Sequence, residues 1–328
     1  MTTAVAVDVE GGDRAPASIV AGIELALERL DVKILAVGRA ESLALLGDHP
    51  RLERIETSEV IGMDEEPASS VRTKRDSSLV RCAELVRDKA ADATFSAGNT
   101  GAAMASALFK LGRISRVSRP AIVTPIPVPG STPTALLDSG ANAECSPAWL
   151  VQFAVMGTVY AQERLGIQNP RVGLLSIGEE KSKGNSLVKE AHELLVNASG
   201  INFIGNVEGR DVMSDAVDVV VADGFVGNVV LKTLEGAMRT AAKAVLDSLA
   251  AGEGGQEFAD RALVKLMPLL GQLSADTYGG AALLGVDGLS LIGHGSSGPD
   301  AVLNAILTAV GLAEHDLVGR IRAAIASA

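Results

Sequence analysis

The stretch Ser96–Gly101 has the residue types with which a strand-to-helix turn binds an anion. A short apolar run precedes it, and an alanine-rich helical pattern follows it. Two glycines let the backbone approach a ligand closely, while Asn99 and Thr100 can cap the helix. Because the first N–H groups of a helix have no partner inside it, the turn predicts an anion-binding site. Taken alone, the same residues also fit an ordinary tight helix start.

Similar polar, glycine-rich turns follow most of the other strand-like runs. They occupy positions 10–13, 138–142, 178–180, 205–209, 223–224 and 293–297. In a mostly parallel α/β sheet the carboxyl ends of the strands share one edge, and ligands bind in the crevice outside it. We therefore expect these turns to meet in a single site.

The turn Gly293–Gly298 matches the spacing of the dinucleotide-binding fingerprint. That fingerprint also needs a following strand with an acidic residue about twenty positions on, whereas the rest of this chain has a helical pattern. We interpret the turn as another anion-binding turn. Strand-end carboxylates show no metal-ligand spacing, and Cys145 has no evident histidine partner, so a small buried residue is the favoured interpretation of this cysteine. We expect no metal and no cofactor.

The composition suits a large α/β protein that is not a general nucleic-acid binder. The chain has 328 residues, 47% of them hydrophobic, with 35 glycines for short turns and a net charge of −11. A nucleic-acid binder needs a basic surface. Two cysteines without a metal or disulfide pattern fit a reducing cytoplasm, and the N-terminus shows no signal-peptide pattern. We expect three α/β/α layers around a mostly parallel sheet, with residues 1–328 forming one functional unit, either undivided or in two lobes.

Two further segments bear on assembly. Four prolines follow Pro120, up to Pro133, and predict edge strands or a hairpin-like arm near 120–135 that could pair with another subunit. Apolar residues recur at helical spacing between Arg261 and Leu273. Core packing or a dimer contact is the favoured interpretation of that helix, and contact with a membrane surface or a partner helix stays open.

Several longer blocks repeat the pattern of one known family. They are Gly11–Pro16, Val71–Ser78, Ser96–Gly101, Asp138–Asn142, Gly178–Asn185, Asn202–Arg210, Asp223–Gly236, Tyr278–Gly285 and His294–Ser297. Together they resemble, over essentially the full length, the bacterial PlsX family, the phosphate acyltransferases of phospholipid synthesis. The family's first turn usually reads Met-Gly-Gly-Asp-His, and Glu10 and Arg14 stand here at the Met and His positions.

The resemblance implies an enzyme that transfers a fatty acyl group from acyl carrier protein to inorganic phosphate, giving acyl phosphate. It also implies a fold similar to that of the isocitrate and isopropylmalate dehydrogenases, a homodimer, and a cytoplasmic location that can be peripheral at the inner face of the membrane. A membrane-bound glycerol-3-phosphate acyltransferase is a further partner that it suggests. Phosphate is already an anionic oxygen nucleophile at neutral pH, so the protein needs mainly to position it beside the thioester carbonyl.

On this basis we expect a catalytic group and a substrate-binding group of residues. The catalytic candidates are Asp13, Lys183, Asn228 and His294. The substrate-binding candidates are Gly11, Gly12, Gly98, Asn99, Thr100, Gly101, Asn185, Ser296 and Ser297. Because acyl carrier protein is acidic, we expect it to dock on one of two basic clusters, either Arg72, Lys74 and Arg75 or Arg113, Arg116 and Arg119.

Three other functions remain open at this stage. A metal- and NAD-dependent decarboxylating dehydrogenase would share the fold class and should show metal-dependent cofactor reduction. A phosphotransacetylase-like enzyme that moves acyl groups between coenzyme A and phosphate would use similar turns. A non-catalytic scaffold for membrane lipid-synthesis enzymes would bind partners without consuming a thioester.

Overall fold

The computed structural model describes residues 2–251, 255–272 and 275–327. Its strands are β1 (Ala4–Asp8), β2 (Lys33–Gly38), β3 (Leu52–Glu56), β4 (Ala93–Ser96), β5 (Ala121–Ile126), β6 (Thr134–Leu137), β7 (Arg171–Leu175), β8 (Asn202–Val207), β9 (Val219–Val221), β10 (Ala281–Leu284) and β11 (Leu289–Ile292). Its helices are α1 (Ala17–Arg29), α2 (Ala40–Leu43), α3 (Pro67–Thr73), α4 (Ser78–Arg87), α5 (Thr100–Lys110), α6 (Pro147–Leu165), α7 (Ser186–Val196), α8 (Gly224–Ala250), α9 (Gly255–Gln272), α10 (Pro299–Glu314) and α11 (Leu317–Ser327). Helix α3 begins inside the segment 62–70, which the sequence predicts as an exposed loop.

All eleven strands form one sheet in the order β3-β2-β1-β4-β11-β10-β5-β6-β9-β7-β8. Side chains alternate between its two faces, as the period of two in a strand requires. In β1, Val5 and Val7 pack with α1, α6 and α10 on one face, while Ala4 and Ala6 pack with α4 on the other. Helices α5 and α8 also cover this second face. The predicted three-layer α/β/α fold around a mostly parallel sheet is therefore confirmed.

The sheet consists of two parallel halves that run in opposite directions. Strands β1 to β4 and β11 form the first half-sheet, and β6 to β9 form the second half-sheet. Between them, β10 is antiparallel to β11, β5 is antiparallel to β10, and β6 is antiparallel to β5. These three reversals place the carboxyl ends of the two halves at opposite edges. The prediction of one shared edge for all the turns is wrong for this reason.

The proline-rich segment 120–135 lies at the centre of the sheet. Strand β5 is buried along its whole length, pairs with β10 on one side and β6 on the other, and contains Pro125. It forms a hairpin with β6, as one part of the prediction states. It is not an edge strand, because two neighbours occupy its hydrogen-bonding edges.

Helices α8 and α9 pack against each other and leave apolar side chains exposed. Phe258, Val264 and Met267 of α9 are 53%, 73% and 56% exposed, so these side chains do not pack in the core. Leu273 of the predicted amphipathic segment lies outside the described residues. Within the described ranges no single helix is long and apolar enough to cross a membrane, although the bent pair Pro299–Glu314 and Leu317–Ser327 qualifies by length and composition.

Candidate functional site

The turns after β1, β4 and β11 meet at the carboxyl edge of the first half-sheet. The N–H of Asp13 donates to the carbonyl of Gly295 at 2.7 Å, and the N–H of Gly293 donates to that of Ser96 at 2.8 Å. A Cβ on Gly11 would lie 2.7 Å from the nitrogen of Gly98, so only glycine allows this approach. For these three turns, which we call the first-edge turns, the expected convergence is confirmed.

A buried carboxyl group supports the first-edge turns from below. Asp8, the last residue of β1, is 1% exposed, and its Oδ2 accepts a hydrogen bond from Ser96 Oγ at 2.6 Å. Ser96 Oγ in turn accepts from the N–H of Gly98 at 3.0 Å. Burial raises the pKa of Asp8, and hydrogen bonds from Ser78 and Ser96 oppose that shift. The N–H of Gly98 is therefore occupied, and Gly98 contributes close approach rather than a free donor.

Asn99 holds a neighbouring loop against the start of α5. Its Oδ1 accepts from the N–H of Ala102 at 3.0 Å and caps the helix. Its Nδ2 lies 3.0 Å from the carbonyl of Met63 and 3.1 Å from that of Glu65. The side-chain amide is thus engaged within the protein. Thr100 is exposed at the first helical position, where free N–H groups are expected.

His294 links the first-edge turns to helix α8. Its Nδ1 lies 2.9 Å from Ser296 Oγ, and its Nε2 lies 3.4 Å from Nζ of Lys232. The Lys232 ammonium also forms an ion pair with Glu235 at 3.0 Å. Ser297, the next residue of the turn, is 3% exposed. This contact bridges the two half-sheets, since α8 follows β9 whereas His294 follows β11.

Helix α8 begins against the backbone of the turn after β6. A Cβ on Gly227 would lie 1.9 Å from the carbonyl oxygen of Asp138. The Asp138 carboxylate is buried and accepts hydrogen bonds from the N–H groups of Ile122 at 3.0 Å, Ala141 at 2.9 Å and Asn142 at 2.7 Å. Burial raises the pKa of Asp138, and these hydrogen bonds limit the shift.

The predicted residue Asn228 lies on the side of α8 that faces this turn. A Cβ on Gly140 would be 3.7 Å from Oδ1 of Asn228. Lys232 follows Asn228 by one helical turn, so both lie on the same face of α8. The contact that the structure gives Asn228 is therefore with the turn after β6, at the carboxyl edge of the second half-sheet.

Lys183 and Asn185 lie in the turn after β7, at the carboxyl edge of the second half-sheet. Asn185 Oδ1 accepts from the N–H of Val188 at 3.0 Å and caps α7. The N–H of Lys183 donates to the carbonyl of Glu180 at 2.9 Å, and its side chain is exposed. Over the described residues, no contact joins either side chain to the first-edge turns.

Comparison with known proteins decides the family. The model of the family described as "Fatty acid synthesis protein" matches residues 3–320. The chain is 48% identical to the phosphate acyltransferase of Nostoc sp. strain PCC 7120 over 307 residues, which cover 92% of this chain and 90% of that protein. The chain belongs to the fatty acid synthesis protein family.

Two solved structures show the same fold for this family member at low sequence identity. A branched-chain phosphotransacylase from Enterococcus faecalis has a TM-score of 0.62 at 15% identity, covering 96% of this chain and all of its own. A Streptococcus pyogenes phosphotransacetylase also has a TM-score of 0.62, at 18% identity, covering 94% and 93%. At such identities the likeness concerns the fold alone.

One departure from the resembled family pattern has a structural explanation in this family member. The carboxylate of Glu10 accepts from the backbone N–H of Arg39 at 2.8 Å and lies 3.2 Å from its guanidinium. The Glu10 side chain is only 4% exposed, so an ion pair between the ends of β1 and β2 occupies the position of the usual methionine. The hydrogen bond that the Arg39 guanidinium donates to Glu10 raises the pKa of Arg39.

The two predicted basic clusters differ in how their charges are used. Lys74 pairs with Glu65, and this contact is the main cause that lowers the pKa of Glu65 to about 2. Arg72 lies over the Phe109 ring at 5.1 Å. No ion pair to a carboxylate within the described chain engages any member of the second cluster, Arg113, Arg116 and Arg119.

The second cluster borders a cleft of ≈ 490 Å³, lined by Arg119, Asn142, Glu144, Cys145, Ser146 and Trp149. Arg119 lies over the Trp149 ring at 5.1 Å. Burial raises the pKa of Cys145 to about 11, so the thiol is not activated as a nucleophile. The carbonyl of Asn142, which lines the cleft, accepts from the N–H of Gly224 at 2.8 Å, so the cleft borders the start of α8.

Two residues of this arrangement, Asp8 and Lys232, were missed by sequence reasoning, and Ser96 was included only as part of the predicted turn. Asp8 and Ser96 end neighbouring buried strands, and a polar residue at that position is the signal that could have identified them. Lys232 has an ordinary i, i+3 partner in Glu235 and looks like any surface lysine of a helix. Only the tertiary structure places it beside His294.

Proposed function

We propose that this chain transfers a fatty acyl group from acyl carrier protein to inorganic phosphate and supplies acyl phosphate for phospholipid synthesis. The observation that carries the proposal is the 48% identity, over 92% of the chain, to a phosphate acyltransferase. The geometry fits this chemistry, because a helix N-terminus, glycine-rich turns and a lysine–histidine pair surround one edge of the sheet. Such groups bind phosphate and stabilise an oxyanion.

In the proposed reaction an oxygen of phosphate attacks the thioester carbonyl. A carbon–oxygen bond forms, the carbon–sulfur bond breaks, and the carrier's thiolate leaves and takes a proton from solvent. Within the described residues the N–H groups of Thr100 and Gly101, at the start of α5, have no hydrogen-bond partner, so they are available to phosphate. Ser296 and His294 stand opposite as polar neighbours of the acceptor or of the oxyanion. Asn228 would enter from α8, one helical turn before Lys232.

Asp13 and Lys183 enter the proposal with different structural support. Asp13 lies within the first-edge turns, and a Cβ on Gly295 would be 3.1 Å from its Oδ1. Its carboxylate can therefore orient groups at this turn. Lys183 and Asn185 lie at the opposite edge of the sheet. They can contact the substrate only if it extends along α8 toward the turn after β7. Replacing Lys183 with alanine and measuring the KM for phosphate tests whether Lys183 contacts the substrate.

For the carrier protein we propose the second basic cluster, Arg113, Arg116 and Arg119, as the docking surface. Its guanidinium groups are exposed and have no carboxylate partner in the part of the chain that the structure describes. An acidic carrier would supply that partner, which favours specific and fast association. The adjacent cleft at Arg119 and Trp149 leads to Asn142 and the start of α8, a route for the carrier's prosthetic arm.

A homodimer, a cytoplasmic location and peripheral contact with the inner face of the membrane also belong to the proposal. The exposed apolar side chains of α8 and α9, among them Val245, Phe258 and Val264, support a contact surface on this helix pair. A membrane-bound glycerol-3-phosphate acyltransferase would be the consumer of acyl phosphate, as the family resemblance suggests. Sedimentation of the full chain without vesicles tests the homodimer, and sedimentation with anionic vesicles tests the contact with the membrane.

The proposal is tested by the choice of acyl donor. Palmitoyl carrier protein or palmitoyl coenzyme A is incubated with the enzyme and labelled phosphate, and labelled acyl phosphate is quantified. We expect the product with the carrier as donor. Preference for coenzyme A would instead indicate a phosphotransacetylase-like enzyme, a function that the shared fold accommodates. Binding of carrier without phosphate-dependent loss of thioester would indicate the scaffold function.

A further inference from the structure

Lys232 lies between the two half-sheets, at a position where the site needs a positive charge. Its ammonium lies 3.4 Å from Nε2 of His294, and it forms a 3.0 Å ion pair with Glu235 on its own helix. Val230, Leu231 and Leu234 of the same helix turn toward the core of the second half-sheet. Lys232 therefore projects from an anchored segment of α8 toward the turn after β11.

The hydrogen-bond capacity of this lysine is incompletely used. An ammonium group has three donors and no acceptor, and the two contacts to His294 and Glu235 leave at least one donor free. The ring of His294 faces Lys232 through Nε2, while its Nδ1 lies 2.9 Å from Ser296 Oγ and accepts the N–H of Ser296 at 3.4 Å.

The charges around the first-edge turns explain why a cation is required there. Asp8 lies beneath the turns and the Asp13 carboxylate lies beside Gly295, so a phosphate dianion would enter a region of negative charge. Arg39 is already paired with Glu10 and Glu41. Lys232 is half exposed, and its ion pair with Glu235 is a surface pair that contributes little and can be exchanged for a ligand.

We infer that Lys232 is a catalytic residue of this site, the cation that binds the phosphate acceptor beside His294 and Asn228. The inference rests on the proposed function and specifies which residue holds which substrate. The ammonium donates its free N–H to a phosphate oxygen, and the carrier-bound thioester does not depend on it. Loss of the charge therefore affects phosphate and leaves the carrier's KM unchanged.

The test compares Lys232→Gln and Lys232→Arg with the control Lys243→Gln. Lys243 is an exposed residue of the same helix and has its own i, i+4 ion pair with Asp247, so the control removes an equivalent surface charge. The readouts are the KM for phosphate, the KM for acyl carrier protein, and the Kd for inorganic phosphate by calorimetry without donor. We expect Lys232→Gln to raise the phosphate KM and Kd by about 10- to 100-fold, the effect of losing a charge-assisted hydrogen bond. Lys232→Arg should recover most of the phosphate affinity.

Several outcomes would overturn the inference. Phosphate constants of Lys232→Gln equal to those of Lys243→Gln remove Lys232 from the phosphate site, as does a rise in the carrier's KM alone. If Lys232→Gln does not fold, Glu235→Gln decides, because it removes the ion pair and keeps the ammonium. Direct binding of phosphate by Lys232 predicts phosphate constants that are not weakened in Glu235→Gln, and a rise of about 10-fold or more would overturn the inference in favour of a purely structural bridge. Calorimetry separates the inference about Lys232 from the proposed function. A wild-type protein that binds phosphate through Lys232 but makes no acyl phosphate contradicts the proposed function and supports the inference. A wild-type protein that does not bind phosphate overturns the inference.

Discussion

Replacing Gly227 with alanine tests whether the position of α8 sets the geometry of the site. A Cβ at this position would lie 1.9 Å from the carbonyl oxygen of Asp138, which is 1.5 Å short of the 3.4 Å at which ordinary contact begins. The obstacle is backbone held in place by the hydrogen bonds around Asp138, so the helix must move rather than the turn. Asn228 and Lys232 would move with it.

The expected size of the effect follows from two opposing contributions. Alanine favours a helix over glycine by about 0.5–1 kcal/mol, while forcing extra volume into a packed contact costs about 1–3 kcal/mol. We therefore expect a net loss of stability of roughly 0–2.5 kcal/mol. A displacement of about 1 Å at a catalytic contact can lower activity by about 100-fold, so kcat/KM should fall much more than stability.

The matched control is Gly236→Ala, on the same helix, where nothing lies within 4 Å of an added Cβ. That variant should gain about 0.5–1 kcal/mol in urea unfolding and keep its activity. Both variants are compared by urea unfolding and by acyl phosphate formation at saturating and limiting phosphate. The reasoning is refuted if Gly227→Ala matches Gly236→Ala in both measurements.

Three further predictions concern the supporting contacts. Ser96→Ala removes the partner of the buried Asp8 carboxyl and should cost about 1–3 kcal/mol in urea unfolding; a negligible cost would contradict the role of this hydrogen bond. The pKa of Glu65 is lowered from its ordinary 4.5 to about 2, so its ionised form stabilises the folded state above pH 4.5. The stability difference between wild type and Glu65→Gln should be present at pH 7 and shrink as the pH falls from 4.5 toward 2, and a constant difference would speak against the shift. Arg119→Glu should raise the carrier's KM, most strongly at low salt, whereas Arg72→Glu should have less effect; the reverse order would move the docking surface to the first cluster.

Local sequence patterns were sufficient to locate the first-edge turns. Strands β1, β4 and β11 are short, mostly apolar runs that polar, glycine-rich turns follow, and these turns meet because the strands are parallel neighbours. The same argument failed for β6 to β9, because β10 and β5 reverse the direction between the halves. The direction of a strand is set by its partners, and nothing in the four residues Ala281–Leu284 indicates it.

The pair of Lys232 and His294 shows a second limit of sequence-based reasoning. Both residues follow strands of the same sheet, but 62 positions separate them along the chain and they belong to different half-sheets. Helical periodicity places Lys232 on the face of Asn228 without saying what that face contacts. Asn99 illustrates the converse, since the helix cap predicted from its type is present and the loop that its amide group holds is a tertiary contact.

The origin of the oxygen atoms in the product tests the central claim most directly. Palmitoyl carrier protein is incubated with the enzyme and phosphate that carries ¹⁸O at all four oxygens, and the product is analysed by mass spectrometry. If phosphate attacks the thioester carbonyl, acyl phosphate forms with all four heavy oxygens retained. Release of free fatty acid that contains solvent oxygen, at a rate independent of phosphate, would contradict the account.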